Sequence, residues 1–304
     1  MAQFTPGVAS AYGLYGDYYG KKGEAETAIR FYRKALSVEH SITPSNVGQK
    51  LLFMKNIAYE MIALGDYAGA MLICLEGQDI ALEFEQGEML SNIYENIGIL
   101  YALHGEFEQA IEFYKKALVV NEALGDELMS AQTALNLAST YIDQGNFENG
   151  LTTIDQSIPI LKKYQIPDWI AFAYEVKGKL LMKSQNYSQA LIWYKRSMEI
   201  HEDIEDPHVE VDVLFGISAV LFNLGEHDQA YMYATKGLEL SKRIKALNAQ
   251  KNILHVLYSI HKRKKETAKA LMYFEKHTVL SDSLLREENN RSLALLKASM
   301  MHET

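Results

Sequence analysis

The 304-residue chain has 1 cysteine and 5 prolines. A lone thiol, Cys74, excludes an internal disulfide framework and any cysteine-based zinc site within one chain, which fits a reducing compartment. Scarce proline beside 19 tyrosines and 11 phenylalanines argues against disorder. No stretch approaches the ~20 consecutive apolar residues of a membrane helix. The opening MAQFTPGVAS has neither the basic stretch nor the apolar run of an export signal. Positive charge is short as well: 30 Lys+Arg against 39 Asp+Glu gives a net charge of -9. That disfavours nonspecific nucleic-acid binding by the whole chain, because phosphate contacts need a basic surface. The deficit lies in one half, since residues 1–150 carry 9 basic and 20 acidic side chains and residues 151–304 carry 21 and 19.

Recognisable catalytic chemistry is missing too. No glycine-rich phosphate loop, no HExxH and no GxSxG occurs. The 9 histidines are scattered, and acidic runs such as EFEQGE (83–88) and HEDIEDPHVE (201–210) read as charged helix ends. The expectation is a protein that is not an enzyme and takes no cofactor and no metal. Cys74 reads as a small core residue, since buried free cysteine behaves as a hydrophobe.

What the chain has in abundance is helix formers, and they repeat. ETAIRFYRKAL, EQAIEFYKKAL, SQALIWYKRSM and AKALMYFEKHT align on a small residue at Ala28, Ala70, Ala110, Gly150, Ala190, Ala230 and Ala270, spaced by 42 and then by 40 residues. Each unit reads as two helices. SNIYENIGILYALH (91–104) places Ile93, Ile97, Leu100 and Tyr101 at helical spacing on one face. Gly23, Gly65, Gly105, Gly145 and Gly225 recur where a helix ends in a left-handed residue. Asp66, Asn146 and Asn186 follow as N-cap candidates, each with an aromatic next. Small residues also recur at Gly16, Ala58, Gly98, Ala138, Gly178 and Ser218, where two helices would cross closely, with Tyr32, Cys74, Tyr114, Ile154, Tyr194 and Phe274 in the second helix to fill the space. Pro159 is expected to kink or end its helix. Pro44, Pro167 and Pro207 fall between units.

This pattern of Gly or Ala, then Tyr, then a Gly turn, then Ala, Tyr and Ala resembles the tetratricopeptide repeat over about residues 9–285. The 40-residue period is similar to the longer-helix subclass of kinesin light chains, bacterial peptide-pheromone receptors and the sensory portions of bacterial signalling proteins. The resemblance implies an all-α, right-handed superhelical solenoid of seven helical hairpins plus a C-terminal helix, with first helices lining a concave groove. The units are expected at 9–50, 51–90, 91–130, 131–170, 171–210, 211–250 and 251–280, after a lead-in at 1–8. Residues 281–304, with Leu284, Leu285, Leu293, Leu295 and Leu296, read as an amphipathic helix that caps the array or pairs with a second chain as a homodimer. That passage resembles the junction at which signalling proteins pass from repeats to an output domain, so the chain reads as a fragment or as a stand-alone relative.

In the register of the resembled family, Asn56, Asn96 and Asn136 share one groove position. They form a ladder that could hold a peptide backbone or merely bridge adjacent repeats, since asparagine both donates and accepts. Around it lie Lys55, Tyr59, Asn92, Glu95, Ile99, Leu103, Gln132, Leu135, Ser139 and Asp143, followed by Phe172, Glu175, Lys179, Met182, Lys183, Phe215 and Phe222. Lys179 and Lys183, one turn apart, could meet an acidic ligand or a terminal carboxylate. The basic run His261 to Lys265 reads as a helix C-terminus whose cations meet the dipole. The function implied is a cytoplasmic, non-catalytic protein- or peptide-binding module of bacterial signal transduction, without nucleic acid or membrane. The alternatives are a stand-alone pheromone receptor and a structural adaptor. Such receptors carry a further N-terminal helical domain, for which repeats starting near residue 9 leave no room.

Overall fold

The computed structural model describes residues 5–41, 46–201 and 207–302, and side chains at 7–41, 46–200 and 207–286. Pro44, most of the acidic run at 201–210 and the side chains of Leu293, Leu295 and Leu296 lie outside the described residues. Among those described, helices follow one another without a strand. They are α1 (Thr5–Lys21), α2 (Ala25–His40), α3 (Val47–Leu64), α4 (Tyr67–Glu83), α5 (Gly87–Leu103), α6 (Phe107–Leu124) and α7 (Glu127–Gln144). Then come α8 (Phe147–Tyr164), α9 (Pro167–Lys183), α10 (Tyr187–His201), α11 (Pro207–Asn223), α12 (His227–Arg243), α13 (Leu247–Arg263) and α14 (Thr267–His302). None of them is long and apolar enough to cross a membrane.

The helices stop because one residue leaves the right-handed region every 20 positions. Positive φ occurs at Gly65, Glu85, Gly105, Gly125, Gly145, Gln165, Gln185, Gly225, Lys245 and Lys265. At each stop the next amide reaches back to the final turn, as Asp66 N donates to the Met61 carbonyl at 2.8 Å while Gly65 N donates to Ile62 at 2.9 Å. Two otherwise orphaned carbonyls are thereby satisfied. Glycine marks only some of these stops; Gln185 and Lys265 make the same turn without it. Asp66 and Asn146 cap the helices that follow, accepting from Gly69 N at 3.1 Å and Asn149 N at 3.3 Å. Pro167 and Pro207 are the first residues of α9 and α11, not linker residues. Proline is suited there because that N–H would have no helical partner.

Pro159 does not end its helix. Helix α8 runs through it to Tyr164. The proline removes the hydrogen bond to the Asp155 carbonyl, but both residues lie on the exposed face, where water replaces it. Buried Ile154, Ser157 and Leu161 hold the opposite face on the core. The C-terminal leucine segment is likewise not a separate helix, since α14 is one helix of 36 residues.

Contacts divide the chain into two compact units, one built on residues 1–140 and one on 141–289. In the first, α1 packs on α2, α3 on α4 and α5 on α6, and each hairpin packs on the next. In the second, α9 with α10 and α11 with α12 form hairpins, followed by α13. First helices also touch each other directly, α3 with α5 in one unit and α9 with α11 and α11 with α13 in the other. No comparable contact joins second helices among the described residues. Closer spacing of the first helices puts them on the inner side of each unit's curvature.

Cores follow the small-residue series. Ala28, Ala70, Ala110, Ala190 and Ala230 are fully buried, as is Ala58. A Cβ on Gly98 would stand 2.7 Å from the Tyr114 ring, and one on Gly178 3.0 Å from Tyr194. Cys74 is buried in the first core, and burial pushes its thiol up to about 12. Leu135, expected on the open face, is also fully buried. It sits beside Asn136 on α7 but points into the helix packing.

Candidate functional site

In the first unit the inner face is carried by α1, α3, α5 and α7. Tyr59 is 55% exposed, and Lys55, Asn56, Asn92, Ile99, Asn136 and Ser139 are half-buried. Two of the ladder asparagines, Asn96 and Asn56, differ in what they do, and the neighbouring Asn92 differs again. Asn96 is buried and donates through Nδ2 to the Lys55 backbone carbonyl at 3.2 Å, bridging α5 to α3. Asn56 Nδ2 donates to Asp17 Oδ1 at 3.4 Å, and the Tyr32 hydroxyl donates to the same oxygen at 2.7 Å. Asn92 is held within its own helix, Nδ2 donating to the Glu88 carbonyl at 2.8 Å.

Behind this face lies a polar network. The Thr133 hydroxyl meets Glu95 Oε1 and the Met129 carbonyl, and Asn121 Nδ2 donates to it at 3.0 Å. Burial pushes the Glu95 carboxyl up to about 7, against the Thr133 hydrogen bond and the Lys55 charge, which both pull it down. Burial in turn lowers the Lys55 ammonium, while the charges of Glu95, Asp17 and Glu88 oppose that shift. Lys55 thus stands among the charges of three carboxyl groups, in the half of the chain where acid predominates.

In the second unit Asp143 stands between two lysines, its Oδ2 2.6 Å from Lys179 Nζ and its Oδ1 2.8 Å from Lys183 Nζ. Burial raises the Asp143 carboxyl, but the lysines outweigh it and leave the group below the usual carboxylate range. Glu175 shifts the other way: burial raises it, the charges of Asp212 and Asp143 raise it further, and Lys179 opposes. Lys179 and Lys183 thus already hold a carboxylate from the chain itself.

Asp17, Asp212, Thr133 and Asn121 escaped the sequence reading. Asp17 occupies the same unit position as Tyr59, Ile99, Ser139 and Lys179, once the 42-residue first spacing is allowed for. Asp212 shares a position with Asn92, Gln132 and Phe172. Thr133 is a polar residue in an otherwise apolar row, with Ile93 and Ala173 at the equivalent positions, whereas the row of Asn121 mixes Ala81 and Leu161 with Glu39, His201 and Ser241. At Thr133, a polar residue in an apolar row was the available signal for a buried network; Asn121 carries no such signal.

Helical hairpins repeated every 40 residues, with first helices packed on first helices, define an all-α hairpin-repeat protein. Family models described as tetratricopeptide repeat match residues 9–39, 91–123 and 129–203. Those stretches of the chain are tetratricopeptide repeats. The chain's similarity to curated proteins is partial: it is 25% identical over 167 residues to the clustered mitochondria protein homolog of Debaryomyces hansenii, covering 54% of this chain and 13% of that one. Among solved structures, a Rap protein complexed with competence and sporulation factor superposes with a TM-score of 0.76 at 15% identity, covering 94% of this chain and 78% of the other. NprR in complex with its cognate peptide NprX superposes with a TM-score of 0.66 at 18% identity, covering 98% of this chain and 87% of that one. These are likenesses of fold.

Proposed function

We propose that the chain is a non-catalytic module that binds a peptide or an extended protein segment along the inner faces of its first helices, in the cytoplasm, as the sensing or interaction part of a bacterial signalling protein. The observation that carries this reading is the character of the inner face. It is built from partly exposed Lys55, Asn56, Tyr59, Asn92, Asn136 and Ser139 around Ile99, a mixture of amide, hydroxyl, charge and aromatic surface suited to a backbone and its side chains. Asn96 contributes by fixing α5 against α3. Asp143, Glu175, Lys179 and Lys183 form a second contact set in their own unit.

The test is a peptide selected from a random library against the whole protein. Its affinity is then measured on Y59A/N136A, with helical content checked by circular dichroism. A loss of tenfold or more with the fold intact supports the inner face as the site, and an unchanged affinity overturns it. A second reading, a stand-alone peptide receptor, draws support from the fold likeness to NprR in complex with its cognate peptide and to a Rap protein complexed with competence and sporulation factor. A scaffold role would be favoured if the selected segments were long and bound through many weak contacts.

A further inference from the structure

The second unit holds a cavity of about 390 Å³ that the reading above does not use. Its walls come from three helices: Phe215 and Phe222 on α11, Asn252, His255 and Val256 on α13, and His277 on α14. The imidazole rings of His255 and His277 lie with centroids 5.3 Å apart. His277 Nε2 is 3.5 Å from Ser281 Oγ. The size is at the small end of ligand pockets, which run roughly 300 to 1,000 Å³, so it suits one or two residues of a chain.

Its electrostatics are one-signed. Burial lowers the His277 pKa, and the charges that lower it further are His255 and Lys251. No carboxylate lines the cavity among the described residues. On α11, Asp212 acts on Glu175 and Tyr194. Beside His277 on α14, Glu275 and Lys276 are exposed to solvent. Two aromatic walls, a carboxamide and two imidazoles short of an anion make a site for an apolar group that carries a carboxylate.

We propose that this cavity takes the C-terminal residue of a peptide, its apolar side chain entering between Phe215, Phe222 and Val256 and its terminal carboxylate meeting His255 and His277. The proposal rests on the peptide-binding reading and adds to it the end of the peptide that is held and the side chain preferred. A bound carboxylate favours the protonated imidazoles, so binding takes up protons and tightens as pH falls from about 7.5 to about 6.

The experiment titrates the whole protein with acetyl-Gly-Ala-Phe as the free acid and as its C-terminal amide, following the imidazole C–H resonances by NMR at pH 6 and 7.5. The expected result is that the acid shifts both His255 and His277 and binds at least tenfold more tightly than the amide at pH 6, with the preference lost in H255A/H277A. Equal binding of acid and amide, or no shift of either histidine at millimolar peptide, overturns the proposal. If 3-phenylpropionate binds as tightly as the tripeptide acid, the occupant is a small acid and the assignment to a peptide terminus is overturned. The library-selected peptide is measured on H255A/H277A in parallel. If it retains its dependence on Tyr59 and Asn136, failure at the cavity leaves the inner-face reading intact.

Discussion

The ring of Tyr114 lies across Gly98, 2.7 Å from the place a Cβ would take. The same pairing joins Gly178 to Tyr194, and the equivalent residues Ala58 and Cys74 are both buried. A residue without a side chain in the first helix thus goes with a large ring in the second, and a methyl with a smaller partner. Gly98→Ala is expected to destabilise by roughly 1–3 kcal/mol, because the buried ring has little room to retreat. The second change Tyr114→Ile, which copies the Ala138 and Ile154 of the next unit, should recover at least half of that loss. Urea denaturation of the two single variants and the double variant measures the coupling; strict additivity would show that ring and glycine do not compete for the same space.

Gln185 and Lys245 hold φ of 60° and 57°, a region in which a Cβ is crowded and glycine is not. Gln185→Gly and Lys245→Gly should each stabilise by about 0.5–1 kcal/mol, and the two gains should add, since the sites are distant turns. Gly105→Ala, at φ 76°, should move stability in the opposite direction. Thermal unfolding of the three variants checks the sign. A drop in Tm for the glycine variants would mean that the side chains of Gln185 and Lys245 contribute contacts outweighing the backbone cost.

These turns also show how far the sequence could be read. The recurrence of Ala28, Ala70 and Ala110 locates each helix crossing, because only small residues serve there, and the hairpins follow from it. Helix ends are less legible. Glycine marks the stop at Gly65, whereas Gln165 makes the same turn with a side chain that carries no signal. That Pro159 does not end α8 could not be read from residue type, because the cost of a helical proline depends on which face meets water, a property of packing. On the inner face the register located Asn56, Asn96 and Asn136 together, but their separate roles depend on distances to Asp17 and to the Lys55 carbonyl, which no spacing encodes. The Glu95 network was hidden because Thr133 and Asn121 come from different helices.

Glu95 provides a pH test. Its carboxyl is pushed up to about 7 in the folded chain, above its ordinary value, so the folded state binds the proton more tightly than the unfolded state. The stability this contributes is full below the unfolded value and is lost as pH rises through about 7. Tm should therefore fall between about pH 5 and pH 8, and Glu95→Gln, which keeps the shape and the link to Thr133 without ionising, should flatten that decline. Glu175, also raised, adds to the same trend, so E95Q/E175Q should flatten it further. A variant with the full wild-type slope would place the proton elsewhere.

The lysine pair around Asp143 separates stability from recognition. Both ion pairs keep a quarter or more of each side chain in solvent, Lys179 at 26%, Lys183 at 37% and Asp143 at 33%. Exposed pairs of this kind are worth about 0–1 kcal/mol after side-chain ordering and salt screening. Asp143→Asn should accordingly change stability by less than about 1 kcal/mol. It removes the carboxylate that both ammonium groups hold and leaves them to an incoming anion. An acidic probe such as a glutamate decapeptide should then bind D143N more tightly than wild type at low salt, and the gain should shrink as salt rises, because screening weakens exposed charge pairs most. The K179A/K183A variant should lose the gain when combined with D143N. If D143N bound the probe no better than wild type, the lysines would be serving to fasten α7 to α9 and the acidic end of a ligand would have to be sought elsewhere on this unit.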